Sequence, residues 1–196
     1  MKISKSFKIY IHIILVFLII KNLSASEDFS KNIIIHEKPL IIKELKFKDI
    51  NLQEVDLTNK KGNIMIINFW ASWCLPCKRE MPSLAKLAQK YPDIKIYAIN
   101  MEKPNKLRAG DFFKSLGITS LDIYFDPDFK LVKTFKMRGL PTSIIIDKNA
   151  NEVARVIGEI DFFSDQFKKF IESLRDCYGS EMTDVFIAID NHSDDR

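Results

Sequence analysis

The chain has 196 residues, 46% hydrophobic and 29% charged, a globular composition that excludes a disordered protein. Three cysteines cannot form a closed set of pairs, which argues against a disulfide-framework miniprotein. Basic residues number 30 against 26 acids, a surplus that would suit nucleic acid only if it were gathered on one surface of the folded domain.

The surplus lies elsewhere. Lys2, Lys5, Lys8 and Lys21 fall within residues 1–25, which hold no acid, and residues 9–20 between them are apolar apart from His12. A basic stretch followed by an apolar run of this length is expected to be an export signal peptide, with Leu23-Ser24-Ala25-Ser26 offering small residues for cleavage. The run falls short of the roughly 18–20 residues that span a bilayer. The alternative is an uncleaved N-terminal membrane anchor. Either form places the remainder in the periplasm or on the outer face of the cytoplasmic membrane. Without residues 1–25 the charges balance at 26 against 26, so no nucleic-acid partner is expected.

Residues 33–35 form a possible short strand. Apolar residues at Leu45, Phe47, Ile50, Leu52, Val55 and Leu57 suit two short strands around a turn. Residues 64–70 run almost wholly apolar, as expected of a central strand buried on both faces. Leu84, Leu87 and Ala88 have helical spacing, and Tyr91-Pro92-Asp93 stops that helix. A second central strand is expected over 94–99 and a helix over 105–116, ended by Gly117. Residues 121–125 are strand-like, 131–137 a short helix or irregular link, and 143–146 with 152–157 a hairpin. An amphipathic helix over 162–174 closes the pattern. Strands alternating with helices predict an α/β fold, a sheet flanked by helices, to which the hairpin adds an antiparallel edge. Residues 176–196 hold six acids against Arg196 alone, with 185–189 apolar, and read as an acidic C-terminal tail.

Trp73-Cys74-Leu75-Pro76-Cys77 falls between a buried strand and a helix. Two cysteines three apart on a first helical turn can close a disulfide. At the helix N-terminus Cys74 meets orphan amides and the positive end of the dipole; both favour thiolate, the nucleophilic form. Cys77, one turn in and more buried, is placed to resolve a mixed disulfide. Two other readings exist. Zinc needs about four ligands, whereas the remaining candidates are Cys177 and the histidines His12, His36 and His192, without ligand spacing. A structural disulfide of this spacing closes almost no loop and adds little stability.

Residues 68–82, NFWASWCLPCKREMP, resemble the thioredoxin-like family, specifically its exported TlpA/ResA branch. Arg138-Gly139-Leu140-Pro141-Thr142-Ser143 resembles that family's cis-proline loop, and residues 147–158 its closing hairpin. The resemblance covers about residues 40–175. It implies a thioredoxin fold with a central mixed sheet and an N-terminal β-hairpin extension, organised as a signal or anchor (1–25), a thioredoxin-like domain (26–175) and the tail. It implies thiol–disulfide exchange with Cys74 and Cys77 as the redox disulfide, no other cofactor and no metal. It also implies that Trp73, Leu140, Pro141 and Thr142 receive the substrate, with Leu140 offering its backbone to an extended segment. Glu80 matches a glutamate of the branch that influences cysteine acidity, and a carboxylate beside a thiol raises its pKa. Asn68 departs from cytosolic thioredoxins, which carry a buried aspartate there; asparagine cannot ionise, which leaves proton relay to Glu80 or water. Pro82 is expected to kink its helix.

The implied partners are protein substrates with disulfides, such as apocytochrome c or copper-site thiols, and a membrane electron-donor protein that recharges the pair. The chain is expected to act as a reductant. Rival readings are a disulfide-forming oxidase, a copper-site assembly factor and a redox-dead binding module. Copper factors favour a longer cysteine spacing and a distant histidine, and residues 37–191 contain none. A peroxiredoxin-type peroxidase would want a threonine where Ala71 stands, three residues before the nucleophile. Cys177 reads as an unpaired thiol or an intermolecular bridge.

Overall fold

The computed structural model of the protein describes residues 31–176. The expected export segment, Cys177 and the tail beyond Asp176 lie outside the described residues. Eight strands form one sheet: β1 (Ile33–Ile41), β2 (Lys46–Lys48), β3 (Glu54–Asp56), β4 (Met65–Trp70), β5 (Lys95–Asn100), β6 (Ile123–Phe125), β7 (Thr142–Ile146) and β8 (Asn151–Ile157). Among the described residues four helices accompany them: α1 (Leu75–Lys90), α2 (Lys106–Ser115), α3 (Lys130–Thr134) and α4 (Asp165–Asp176). The strand order is β1-β8-β7-β4-β5-β6-β2-β3. β4, β5 and β6 are parallel, as two strand–helix–strand crossovers require, and the other pairings are antiparallel.

This is the expected mixed α/β sheet, and β2 with β3 is the expected hairpin extension, seated beyond β6. The β7–β8 hairpin differs from expectation, because it is internal. β1 pairs along β8 and takes the edge. β1 is also longer than residues 33–35; it resumes at Leu40 and Ile41 after a register shift. Pro39 lies within it, which an edge strand tolerates because one side of its backbone has no ladder partner.

Every residue of β4 is buried, and its side chains alternate between two cores. Ile66 and Trp70 face α1, α2 and α4, while Met65, Ile67 and Phe69 face α3 and the β2–β3 hairpin. Asn68 shares the α1 face. Trp70 stacks on Phe112 at 4.5 Å between ring centroids and lies 5.3 Å from Phe113, within the core. α1 continues through Pro82 as one helix. Its buried stripe is Cys77, Glu80, Met81, Leu84 and Leu87, the three-and-four spacing of a core-facing helix. α4 begins later than residue 162. Asp161 Oδ1 accepts from the Phe163 amide, and Ser164 Oγ accepts from the Phe167 amide at 3.3 Å, which caps the helix there. Among the described residues no helix is long and apolar enough to cross a membrane.

Candidate active site

β4 ends at Trp70, and a turn of three residues carries the chain to Cys74, the N-cap of α1. The Cys74 amide donates to the Ala71 carbonyl at 3.1 Å, closing that turn. Cys74 Sγ accepts from the Cys77 amide at 3.2 Å, so the sulfur occupies the place of an N-cap oxygen. Cys74 and Cys77 form a disulfide, with Cα atoms 5.3 Å apart. Cys77 is fully buried and Cys74 is 4% exposed, while their neighbours Trp73 and Leu75 are 72% and 62% exposed. The sulfurs are therefore recessed behind two open apolar side chains.

Antiparallel pairing brings the start of β7 to the end of β4 from which this turn leaves: Thr142 lies opposite Phe69 and Ser143 opposite Asn68. The Leu140–Pro141 peptide bond is cis. Thr142 Oγ1 donates to the Gly139 carbonyl at 2.8 Å, and the Pro141 carbonyl accepts from the Gly158 amide at 3.0 Å, which ties the loop to the end of β8. Pro141 and Thr142 are buried and Leu140 is half-buried. Trp73, Cys74, Leu140, Pro141 and Thr142 thus gather at one end of the sheet.

Beneath the pair lies a buried polar floor. Asn68 Nδ2 donates to Glu80 Oε1 at 2.8 Å and to Ser143 Oγ at 2.9 Å. Glu80 is 2% exposed, and its Oε2 has no hydrogen-bond partner. Burial pushes its carboxyl up to about 8; the Asn68 amide and the Ile160 backbone oppose this, and the Glu159 charge adds to it. Glu80 sits one turn along α1 from Cys77, on the same buried stripe. The stripe was the signal for its burial: residue 80 lies three from Cys77 and four from Leu84.

A second carboxylate escaped the sequence reading. Glu102 follows β5 and grips the turn before the cysteines. Its Oε2 accepts from the Ser72 amide at 2.6 Å and its Oε1 from Ser72 Oγ at 3.0 Å. Asn100 Nδ2 and Arg108 Nη1 also donate to it, at 3.2 and 3.4 Å. Burial raises its pKa, but the donors win and hold it below the ordinary carboxylate range. Its position was the available signal, since the carboxyl ends of neighbouring parallel strands are where α/β sheets build sites. Among the described residues no group of three or more His, Cys, Asp and Glu side chains is arranged to hold a metal ion.

The AhpC/TSA family matches residues 41–155. Thiol-disulfide oxidoreductase ResA of Bacillus cereus is 31% identical over 113 residues, which are 57% of this chain and 64% of that protein. ResA of Geobacillus thermodenitrificans is 31% identical over 129 residues, 65% of this chain and 72% of the relative. Among solved structures, a DsbF homologue from Corynebacterium diphtheriae superposes with a TM-score of 0.59 at 25% identity, covering 76% of this chain and 95% of that one. That family match spans more than half of the chain and a relative 31% identical is covered over 72% of its length, so the chain belongs to the AhpC/TSA family of thioredoxin-like proteins.

Proposed function

We propose that the protein is a thiol–disulfide oxidoreductase of the cell envelope that reduces protein disulfides. The observation that carries this reading is the Cys74–Cys77 disulfide at the N-terminus of α1, beside the cis-proline loop. In the reduced form the Cys74 thiolate attacks one sulfur of a substrate disulfide. A mixed disulfide forms and the first substrate thiolate leaves. Cys77 loses its proton and attacks Cys74 Sγ, which expels the second substrate thiolate and restores the Cys74–Cys77 bond. Two electrons pass to the substrate, and a membrane electron-donor protein with a dithiol returns them. The disulfide is the only redox group the reaction uses.

Orphan amides of α1 stabilise the Cys74 thiolate. Glu80 holds a proton at neutral pH and stands one helical turn from Cys77, so it serves as the acid–base partner that Asn68 cannot be. The Leu140 backbone pairs with an extended substrate segment, the buried Pro141 and Thr142 hold that loop in place, and Trp73 covers the reacting sulfurs. Resemblance to the TlpA/ResA branch favours cytochrome c or copper-oxidase assembly as the setting. Residues 1–25 deliver the chain across the membrane or tether it there.

Two measurements test this. Cys77→Ala should accumulate a mixed disulfide with its substrate through Cys74, while Cys74→Ser should reduce turnover of a protein disulfide to background. Retained activity in Cys74→Ser would sink the assignment. A reduction potential near about −120 mV, the range of a strong oxidant, would reverse the proposed direction.

A further inference from the structure

A cleft of about 880 Å³ lies on the sheet face opposite α1 and α4, between β1, β8 and the chain around α3. Its lining includes Ile34, Leu40, Ile41 and Ile157, which are 50%, 46%, 82% and 44% exposed. Open apolar side chains grouped in one concavity mark a contact surface. One of its two carboxylates is already consumed. Glu152 accepts from Arg155 Nε at 2.8 Å and Nη2 at 3.0 Å, and His36 Nε2 lies 2.9 Å from its Oε1. Arg155 Nη1 donates to the Phe135 carbonyl at 2.6 Å. Lys43, Lys136 and Arg138 also line the cleft, and all three are exposed. None has a side-chain hydrogen bond or ion pair among the described residues. Glu44 is the one other acid on the lining. The surface is thus apolar with an unneutralised basic rim.

The cleft also reaches the cis-proline loop. Arg138 lies two residues before Leu140, Thr142 directly follows Pro141, and both are lining residues. The family match begins at residue 41, so Ile34 and Leu40 lie outside it.

We propose that this cleft is a recognition subsite for the protein substrate, and that it takes an extended segment of apolar and acidic residues flanking the target disulfide. The inference rests on the thiol–disulfide reading above and names its substrate class. A segment paired with the Leu140 backbone continues past Arg138 into the cleft. There its apolar side chains cover Ile34, Leu40 and Ile157, and its carboxylates meet Lys43, Lys136 and Arg138. Complementary charge of this kind steers and registers a partner.

The test uses the full chain and two disulfide peptides that differ only in the flank, Asp-Val-Phe-Asp or Lys-Val-Phe-Lys. The acidic peptide should have a KM lower by about tenfold, an advantage that shrinks with salt, while kcat is shared. Lys43→Glu with Lys136→Glu should invert the preference. Equal KM values, or a preference indifferent to the charge reversal, would overturn the proposal. Fluorescence anisotropy with a cysteine-free acidic peptide reads the cleft even if the redox chemistry fails, and separates the two claims. Residues 184–190, DVFIAID, carry the same chemistry. If deleting residues 177–196 creates a preference that the full chain lacks, the occupant is the chain's own tail and the substrate assignment falls.

Discussion

The floor beneath the cysteines and the anchor that holds the turn leading into them each use one carboxyl group, and the two are driven in opposite directions. Glu80 is 2% exposed, receives one side-chain donor on Oε1 and leaves Oε2 unpartnered. Its pKa rises to about 8. The Glu102 side chain is only 10% exposed, yet it receives two donors from Ser72 and one each from Asn100 and Arg108, and its pKa falls. Burial acts upward on both. The number of N–H and O–H groups aimed at the oxygens decides the sign. The floor carboxyl therefore keeps its proton to higher pH, one helical turn from Cys77, while the turn is held by a carboxylate that stays ionised to lower pH.

The largest expected effect is on the floor. A carboxyl with a raised folded pKa keeps its proton where the unfolded chain has released it. Its stabilisation is complete below 4.5 and is lost as pH rises to about 8. Glu80→Gln should remove that loss, so the variant gains on the parent across the window at roughly 1.4 kcal/mol per pH unit at most. Urea unfolding at pH 5 and pH 8 measures the gain, and parallel pH profiles would erase the contrast between the two carboxyls. A smaller effect of opposite sense belongs to the turn. The lowered pKa of Glu102 stabilises above its unfolded value and loses that stabilisation as pH falls through the folded one. Glu102→Gln should cost about 1–2 kcal/mol at neutral pH, with the deficit closing in acid. Hydrogen exchange at the Ser72 amide should quicken; an unchanged rate would show that the turn holds without its anion. The smallest effect is at Arg108, 64% exposed and 3.4 Å from Glu102. Arg108→Ala should cost under about 0.5 kcal/mol, and a larger loss would move the anchor of Glu102 from Ser72 to the guanidinium.

Much of this region was legible in the residues. The apolar run at 64–70 marked β4, and the C-x-x-C at its end marked the helix start and the disulfide. Arg138-Gly139-Leu140-Pro141-Thr142 marked the cis-proline loop through its likeness to a family rather than through spacing. Glu102 was not legible, because its partners Ser72 and Arg108 belong to different elements and a glutamate after a strand resembles any solvated loop acid. Trp70 and Trp73 lie close together in the chain, both just before the cysteines. Strand alternation sends Trp70 into the core against Phe112, while Trp73 lies past the strand end and stays open.

Local patterning was enough for most elements, the cysteine pair and a sheet flanked by helices, because hydrophobic period and turn chemistry act over a few residues, while the thioredoxin-like fold came from likeness to a family. Strand order and the protonation of buried acids depend on groups far apart in the chain. Only the folded sheet sets β1 outside β8, makes the hairpin internal, opens the cleft beside the cis-proline loop, and gives Glu80 and Glu102 their opposite environments. Desolvation and donor count are properties of what surrounds a side chain, and that surrounding exists only once distant strands have paired.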